Sequence, residues 1–562
     1  MSDEEQKNML ETSKQNNMSY THIEDLSNEI FYEIFEFIDY YDLYNAFSNL
    51  NNRFQNLFNY PYLSLSTNIE HTSASEVEKY YTQFITPNKH RIVSLYFNDR
   101  LYINNSQSSY IIDSSFNRLQ SLNFNRVQHK QFLSLLPTLM SLPHLSSIIV
   151  HFNDNIVNLT EIYRLIFQLP FLNKLELLAK GYSLTMSLPL NELEQHSHIK
   201  HLIINHACSL TELINLLSYT PLLVHLTCME LCKQDQYIEK ITSLKIFNLT
   251  SITFHMCNVE FSNLEIFIQN IGKQLRVLCI NTSQDIAYMN ATRWEQLISM
   301  YIPNLRVLKF GYDEYHYQNI ELASHHTLLN QFTSSFWINR GWFFQITVDI
   351  DYWPPIKVTY SISPNRPSWC HMYEETDNIK LTVDRLYFAA SREYLVDKIF
   401  SFISTFHITH LTIDCEKFAY IKFIQLLSML PNLNSLKIMS LSYFKLKCAV
   451  NQSCLMNNKI ITLEFQSFIE NIDLEKIQFF IDLCPHMKYL QVKCEHTFNI
   501  ESILRYILLK NNTKFNFFCL WVPITNDIMI KQLQIMINHE KLLIQHYEIK
   551  RTTDKIYLQW NN

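Results

Sequence analysis

At 562 residues the chain is long for a single compact core and long enough for a repeat array. A hydrophobic content of 47% excludes a disordered protein. The balance of 46 basic and 53 acidic residues, a net charge of −7, provides no basic surface for phosphate contacts, so no nucleic-acid partner is expected.

The chain opens on a polar stretch, residues 1–19, which reads as a solvated, disordered tail without the apolar core of a signal peptide. No segment reaches the roughly 18 uninterrupted apolar residues of a membrane span, so no membrane partner is expected. The twelve cysteines are scattered without regular pairing and read as reduced thiols of an intracellular protein, in cytoplasm and/or nucleus.

Residues 20–60 read as three short helices. Ile30, Ile34, Phe37 and Ile38 form one apolar stripe, and Phe31 and Phe35 form a second beside it. Ser27 is placed to cap the first helix and Asp42 the second, whose apolar side is Leu43, Ala46, Phe47 and Leu50. Phe54, Leu57 and Phe58 mark the third. About forty residues rarely form a sufficient core alone, so the surplus apolar surface should meet the rest of the chain, another protein, or both. The stretch resembles an F-box. The family's Leu-x-x-Leu-Pro opening, Glu-Ile, Ile-Phe, Asp-Leu and basic-aromatic positions are Ile23 and Leu26, Glu29-Ile30, Ile34-Phe35, Asp42-Leu43 and Arg53-Phe54 here, with Ser27 in place of the proline. The resemblance implies that Ile23, Leu26, Ile30, Ile34, Phe35, Asp42 and Leu43 bind a Skp-type adaptor and, through it, a cullin–RING ligase.

From residue 61 onward an apolar-x-x-apolar-x-apolar pattern recurs. Its aligned residues are Leu95, Leu122, Ile148, Leu175, Leu202, Leu226, Ile252, Leu278 and Leu308, resuming as Leu386, Leu411, Leu436, Leu463, Leu490 and Phe517. Successive members lie about 24–30 residues apart, the period of a solenoid. Pro143, Pro170, Pro221, Pro303, Pro431 and Pro485 each precede an aligned residue by five positions, a slot that ends a helix and admits a strand. The segments before them read as helices: Ser209 and Glu212 form a capping box ahead of Leu213, Leu216 and Leu217, and Thr292 and Glu295 repeat the arrangement. Each unit is helix, turn, short strand, loop. This series resembles the irregular leucine-rich repeats that often follow an F-box. The expected fold class is therefore α/β: a short N-terminal helical F-box, then a curved leucine-rich-repeat solenoid with parallel inner strands and outer helices.

The register lapses at about 311–380, where three degraded units or an inserted hairpin would fit. Ile346–Ile350 and Ile356–Ser361 alternate like strands around Pro354-Pro355. The segment holds Trp337, Trp342, Trp353 and Trp369, with Pro364 and Pro367, and its aromatics suit a core better than a binding element. After about residue 523, Leu542, Leu543, Ile556, Leu558 and Trp560 read as a C-terminal cap.

Catalytic signatures do not appear in the sequence. Four glycines leave little room for a phosphate loop, and there is no Gly-x-Ser-x-Gly, His-Glu-x-x-His or Cys-x-x-Cys. His196, His198, His201 and His206 with Cys208 match no usual zinc spacing and read as surface histidines; neither metal nor cofactor is expected. Residues flanking each aligned position face away from the core, which makes Lys174, Glu176, His201, His225, Thr227, Lys309, His410, Lys437, Glu464 and Tyr489 the candidate substrate surface. The two resemblances together imply a non-enzymatic substrate receptor of a Skp–cullin–F-box ubiquitin ligase, recruiting a protein target. The alternative is a non-catalytic repeat scaffold whose F-box-like helices only cap the solenoid.

Overall fold

A computed structural model describes residues 23–560 except 49, 70–73, 98–111, 182–183, 191–195, 234–245, 284, 317–329, 351–355, 364–378, 387–408, 414–419, 440–458, 467–473, 494–499, 512–516, 522–526, 544–545 and 553–554. The expected tail, Trp353, Trp369 and the prolines at 354, 355, 364 and 367 lie outside the described residues. The chain divides into two units, Met1–Val224 and His225–Asn562, and both are mixed α/β. No helix among the described residues is long and apolar enough to cross a membrane.

The first unit begins with helices α1 (Asn28–Phe35), α2 (Tyr40–Phe47) and α3 (Asn52–Phe58). Six parallel strands follow in sequence order: β1 (Leu65–Ile69), β2 (Ile92–Phe97), β3 (Ser121–Val127), β4 (Ser147–Asn155), β5 (Lys174–Lys180) and β6 (His201–Ser209). Leu95, Leu122, Ile148, Leu175 and Leu202 stand opposite one another on adjacent strands. Each is buried, as are the apolar residues three before and two after the last four of them, from Leu119 and Phe124 to Ile199 and Ile204. Period-two alternation thus sends one face of every strand into the core, against helices such as His129–Leu139 and Thr160–Ile166.

Strand β1 adds a member that the leucine series lacks. Thr67 stands opposite Leu95 and is buried. Its hydroxyl is hydrogen-bonded to the Tyr80 hydroxyl, which satisfies a polar group in an apolar slot.

The second unit starts with parallel strands β7 (His225–Cys232), β8 (Ser251–Cys257), β9 (Val277–Thr282) and β10 (Val307–His316). The irregular segment then inserts a hairpin, β11 (Phe343–Ile350) and β12 (Ile356–Ser363), into the sheet. β12 pairs antiparallel with β10, and β11 pairs parallel with β13 (Ile379–Leu386). The hairpin thereby restores the strand direction. Trp337 and Trp342 are buried, 5.9 Å apart between ring centres, and the Trp342 indole donates to the Arg306 carbonyl at 3.3 Å. Both tryptophans are core.

Parallel pairing continues through β14 (His410–Ile413), β15 (Ser435–Ile438), β16 (Thr462–Gln466), β17 (Tyr489–Lys493) and β18 (Phe517–Trp521). The sheet ends in an antiparallel hairpin, β19 (Tyr547–Thr552) and β20 (Lys555–Trp560), with β20 paired to β18. Ile556, Leu558 and Trp560 are buried there.

Two members of the aligned series change. Leu381, not Leu386, stands opposite Leu411, and Leu386 lies five residues further along β13, opposite Ile350 past a bulge. At β18, Phe518 stands opposite Leu490 while Phe517 stands opposite Tyr489. One helix start also differs. Ser209 and Glu212 do form a capping box, but the helix Ala291–Tyr301 is capped by Asn290, which accepts from the Arg293 amide at 3.1 Å. Glu295 instead accepts from Ser334.

His206 is buried rather than on the surface. Its Nδ1 lies 3.0 Å from the Ala207 carbonyl, which only accepts, so Nδ1 carries the proton and Nε2 accepts from the Tyr163 hydroxyl at 2.7 Å. Burial pulls the imidazole's pKa down. The unfolded chain therefore protonates first as pH falls, and the stability of the first unit should drop below about pH 6.5. Tyr163→Phe orphans Nε2 and should cost about 1–3 kcal/mol, read by urea unfolding. Tyr163→Phe/His206→Leu removes both partners and should flatten the acid dependence.

Candidate interaction surfaces

The helical head is held together by aromatic packing. Phe31 meets Phe54 edge-on at 5.0 Å, and Phe35, Phe47 and Phe54 join in sequence at 5.2 and 5.1 Å. Arg53 locks the chain entry: its guanidinium donates to the carbonyls of Glu24 and Leu26 and, at 2.9 Å, to Asn28 Oδ1. Arg53→Gln should cost about 1–2 kcal/mol and release the Ile23–Asp25 turn, measurable as faster hydrogen exchange there and a lower melting temperature.

Ser27 occupies the N-cap of α1, but its side chain makes no capping bond. The backbone amide of Glu29 and the Ser27 hydroxyl instead hold the Glu29 carboxyl below its ordinary value. The cap of α2 is Asp39, three residues before the expected Asp42. Asp39 accepts from the Tyr41 amide at 2.8 Å and, across the unit, from the Asn68 amide of β1 at 2.6 Å. Burial pushes its carboxyl up against the pull of those two amides.

The head is also fastened to the strands. Arg91 donates to the Phe58 carbonyl at 2.6 Å, Asn88 to the Tyr40 hydroxyl at 3.1 Å, and Tyr44 meets Phe84 at 5.1 Å. The contacts of Phe31 with Phe54 and of Phe35 with Phe47 decide which stripe of α1 faces inward. Phe31 and Phe35 are buried, whereas Ile30 is 41% exposed and Ile34 half-buried. Of the implied adaptor residues, Ile23, Leu26, Ile30, Ile34 and Asp42 reach the surface. Phe35 and Leu43 fill the head's own core and present no surface to a partner. Phe37, 90% exposed, and Leu50 extend the open patch. Among the described residues, 8 of the 21 exposed large hydrophobics fall between Ile23 and Tyr62, a density that makes the head a candidate interaction surface. The same stretch carries seven carboxylates against one guanidinium, and that acidic surround keeps the apolar patch soluble.

The strand face opposite the core carries the other candidates. In the first unit Lys174 is half-buried and His201 exposed. Glu176 accepts from Asn205 at 3.0 Å and lies 3.6 Å from His151 Nε2, so His151 and Asn205 belong to this patch although neither flanks an aligned residue. In the second unit His225 and Lys309 are exposed and Thr227 half-buried. His410 Nδ1 is 2.8 Å from the Thr409 hydroxyl. Lys437 and Glu464 form a cross-strand pair at 2.6 Å with little exposure, which spends both charges within the sheet. Tyr489 joins Phe517 at 5.5 Å, and Phe517 joins Tyr557 at 6.0 Å. The single-residue shift at β18 hid Phe517 from the sequence reading, since a slip of one flips a side chain to the other face.

His196, His198 and His201 are exposed while His206 and Cys208 point into the core. Among the described residues no three His, Cys, Asp or Glu side chains converge to hold a metal ion. No family model matches the chain, and comparison with curated proteins gives no match.

Proposed function

We propose that the chain is an F-box substrate receptor: the head docks a Skp-type adaptor, and the leucine-rich-repeat strand face presents a protein target to the attached cullin–RING ligase. The observation that carries this reading is the open stripe of Ile30, Ile34 and Phe37, which remains accessible after α1 has used Phe31 and Phe35 to fill its own core. A helix with one buried and one open apolar stripe is built to bridge two bodies. The repeat supplies position rather than chemistry: holding a target near activated ubiquitin raises its effective concentration.

The test is capture of the Skp-type adaptor by the purified chain. Ile30→Asp/Ile34→Asp should weaken capture at least about tenfold with unchanged circular dichroism. Equal capture by a folded double variant sinks the reading. Phe35→Asp is unsuitable, because Phe35 is core.

A second reading has its own support. Asp39 and Arg91 tie the head to β1 and to the start of β2, as expected of helices that cap the first strand edge of a repeat scaffold. The two roles use opposite sides of the head, and the double variant separates them.

A further inference from the structure

The open stripe of α1 is bordered by charge on one side only. Glu29, Glu33 and Glu36 recur at i, i+4 and i+7, each one residue before Ile30, Ile34 and Phe37. The helical path holds that far, since the amides of Glu36 and Phe37 bond back to the carbonyls of Tyr32 and Ile34. At the helical rise the two sets form parallel ridges about 10 Å long. All three glutamates are exposed, as are Ile30 and Phe37. The opposite flank is uncharged: Phe31 and Phe35 are core, and Ile38 is half-buried.

The head supplies this acidic ridge with little counter-charge. Arg53, the one cation between Ile23 and Tyr62, is engaged with the carbonyls of Glu24 and Leu26 and with Asn28 Oδ1. Its field reaches Glu29. Among the described residues no cation pairs with Glu33 or Glu36. The placement works against the helix itself. Like charges four residues apart repel, and Glu36 sits at the C-terminal end of α1, where the dipole disfavours an anion. Solubility needs only dispersed charge of both signs. An ordered ridge of one sign beside an apolar ridge instead matches a surface that carries the opposite charge in the same order.

We infer that the open side of α1 docks a helix of a partner protein whose apolar stripe is edged along one side by lysine or arginine. This deepens the receptor reading and rests on it for purpose, since it states the charge of the surface that meets the head. Two parallel ridges on one helix suit a second helix laid along them. An anionic membrane or a nucleic acid would meet like charge. A second copy of the head would bring seven carboxylates and one guanidinium to the same ridge.

The experiment titrates the purified full chain into two short fluorescein-labelled helical peptides, each with a leucine stripe, one edged by lysine and the other by glutamate. Anisotropy reads the binding. The lysine peptide should bind at least about tenfold more tightly. Glu33→Lys/Glu36→Lys should reverse that order. Glu33→Gln/Glu36→Gln should erase it at an unchanged or higher melting temperature, whereas glutamates that merely held the fold would lower it when replaced. Phe37→Ser, at a side chain 90% exposed, should weaken the lysine peptide at least about fivefold without unfolding the head. Equal binding of the two peptides by the unaltered chain overturns the inference. So does a lysine preference that survives Glu33→Lys/Glu36→Lys, which would place it elsewhere on an acidic chain. Adaptor capture is measured separately. Capture that persists while the peptide order fails removes the charged border and leaves the receptor reading standing. The peptide order without capture upholds a cationic helical partner and sinks the Skp-type adaptor.

Discussion

Phe518→Asp should unfold the C-terminal strands, and Phe517→Asp should leave them folded. Phe518 fills the leucine slot of β18, buried between Leu490 and Leu558 of its neighbours. Aspartate there loses the transfer energy of the ring, opens a cavity and places an unpaired carboxylate in an apolar site. Together these exceed about 4 kcal/mol, a large share of the stability of any domain. Phe517 lies one residue earlier and on the other face, where aspartate loses two ring contacts and should cost about 1 kcal/mol. Urea unfolding and limited proteolysis of the two variants read the difference directly. The reverse result would mean that β18 is paired one residue out of the register described.

That contrast also shows where a sequence stops being readable. Within each unit, the series from Leu95 to Leu202 and from Leu226 to Leu308 survives intact, because each strand sets its buried slot directly opposite that of the next. The pattern becomes ambiguous at Phe517-Phe518, where two phenylalanines adjoin and alternation cannot choose between them. It also fails in β13, where Leu381 and Leu386 both head an apolar alternation and only the pairing with β14 selects the first. Thr67 escaped notice for a different reason: its hydroxyl is satisfied by Tyr80, a partner thirteen residues away that no local pattern reveals. The inserted hairpin was legible from two alternating runs. Its role in restoring strand direction depended on which strand met β10.

The head follows the same logic. The two stripes of α1 were evident from spacing, but which one is open depended on the partners: Phe54, Phe47 and, through α2 and α3, Phe84 and Arg91. Asp39 caps α2 through the Tyr41 amide, and its second acceptor bond reaches Asn68, on a strand outside the leucine series.

Deleting residues 20–60 should cost the first strands their fold. The deletion removes the carbonyl of Phe58 from Arg91, a guanidinium only 7% exposed. Losing a hydrogen bond made by a charged group costs about 1.5–3 kcal/mol. It also strips Tyr40, Tyr41 and Tyr44 from Phe84 and Tyr80 and uncovers the edge of β1, where Asp39 occupies the Asn68 amide. Hydrogen exchange in β1 and β2 should rise, and the melting temperature of the first unit should fall. Loss of adaptor capture by such a truncation would therefore carry no information about docking, since the truncated chain is damaged as well as headless. Ile30→Asp/Ile34→Asp changes only the open stripe. A chain that keeps its exchange protection in β1 and β2 while losing the adaptor uses two sides of the head for two tasks. A truncated chain whose first strands keep full protection would instead make the head an independent appendage, and the contacts of Asp39 and Arg91 would be incidental to stability.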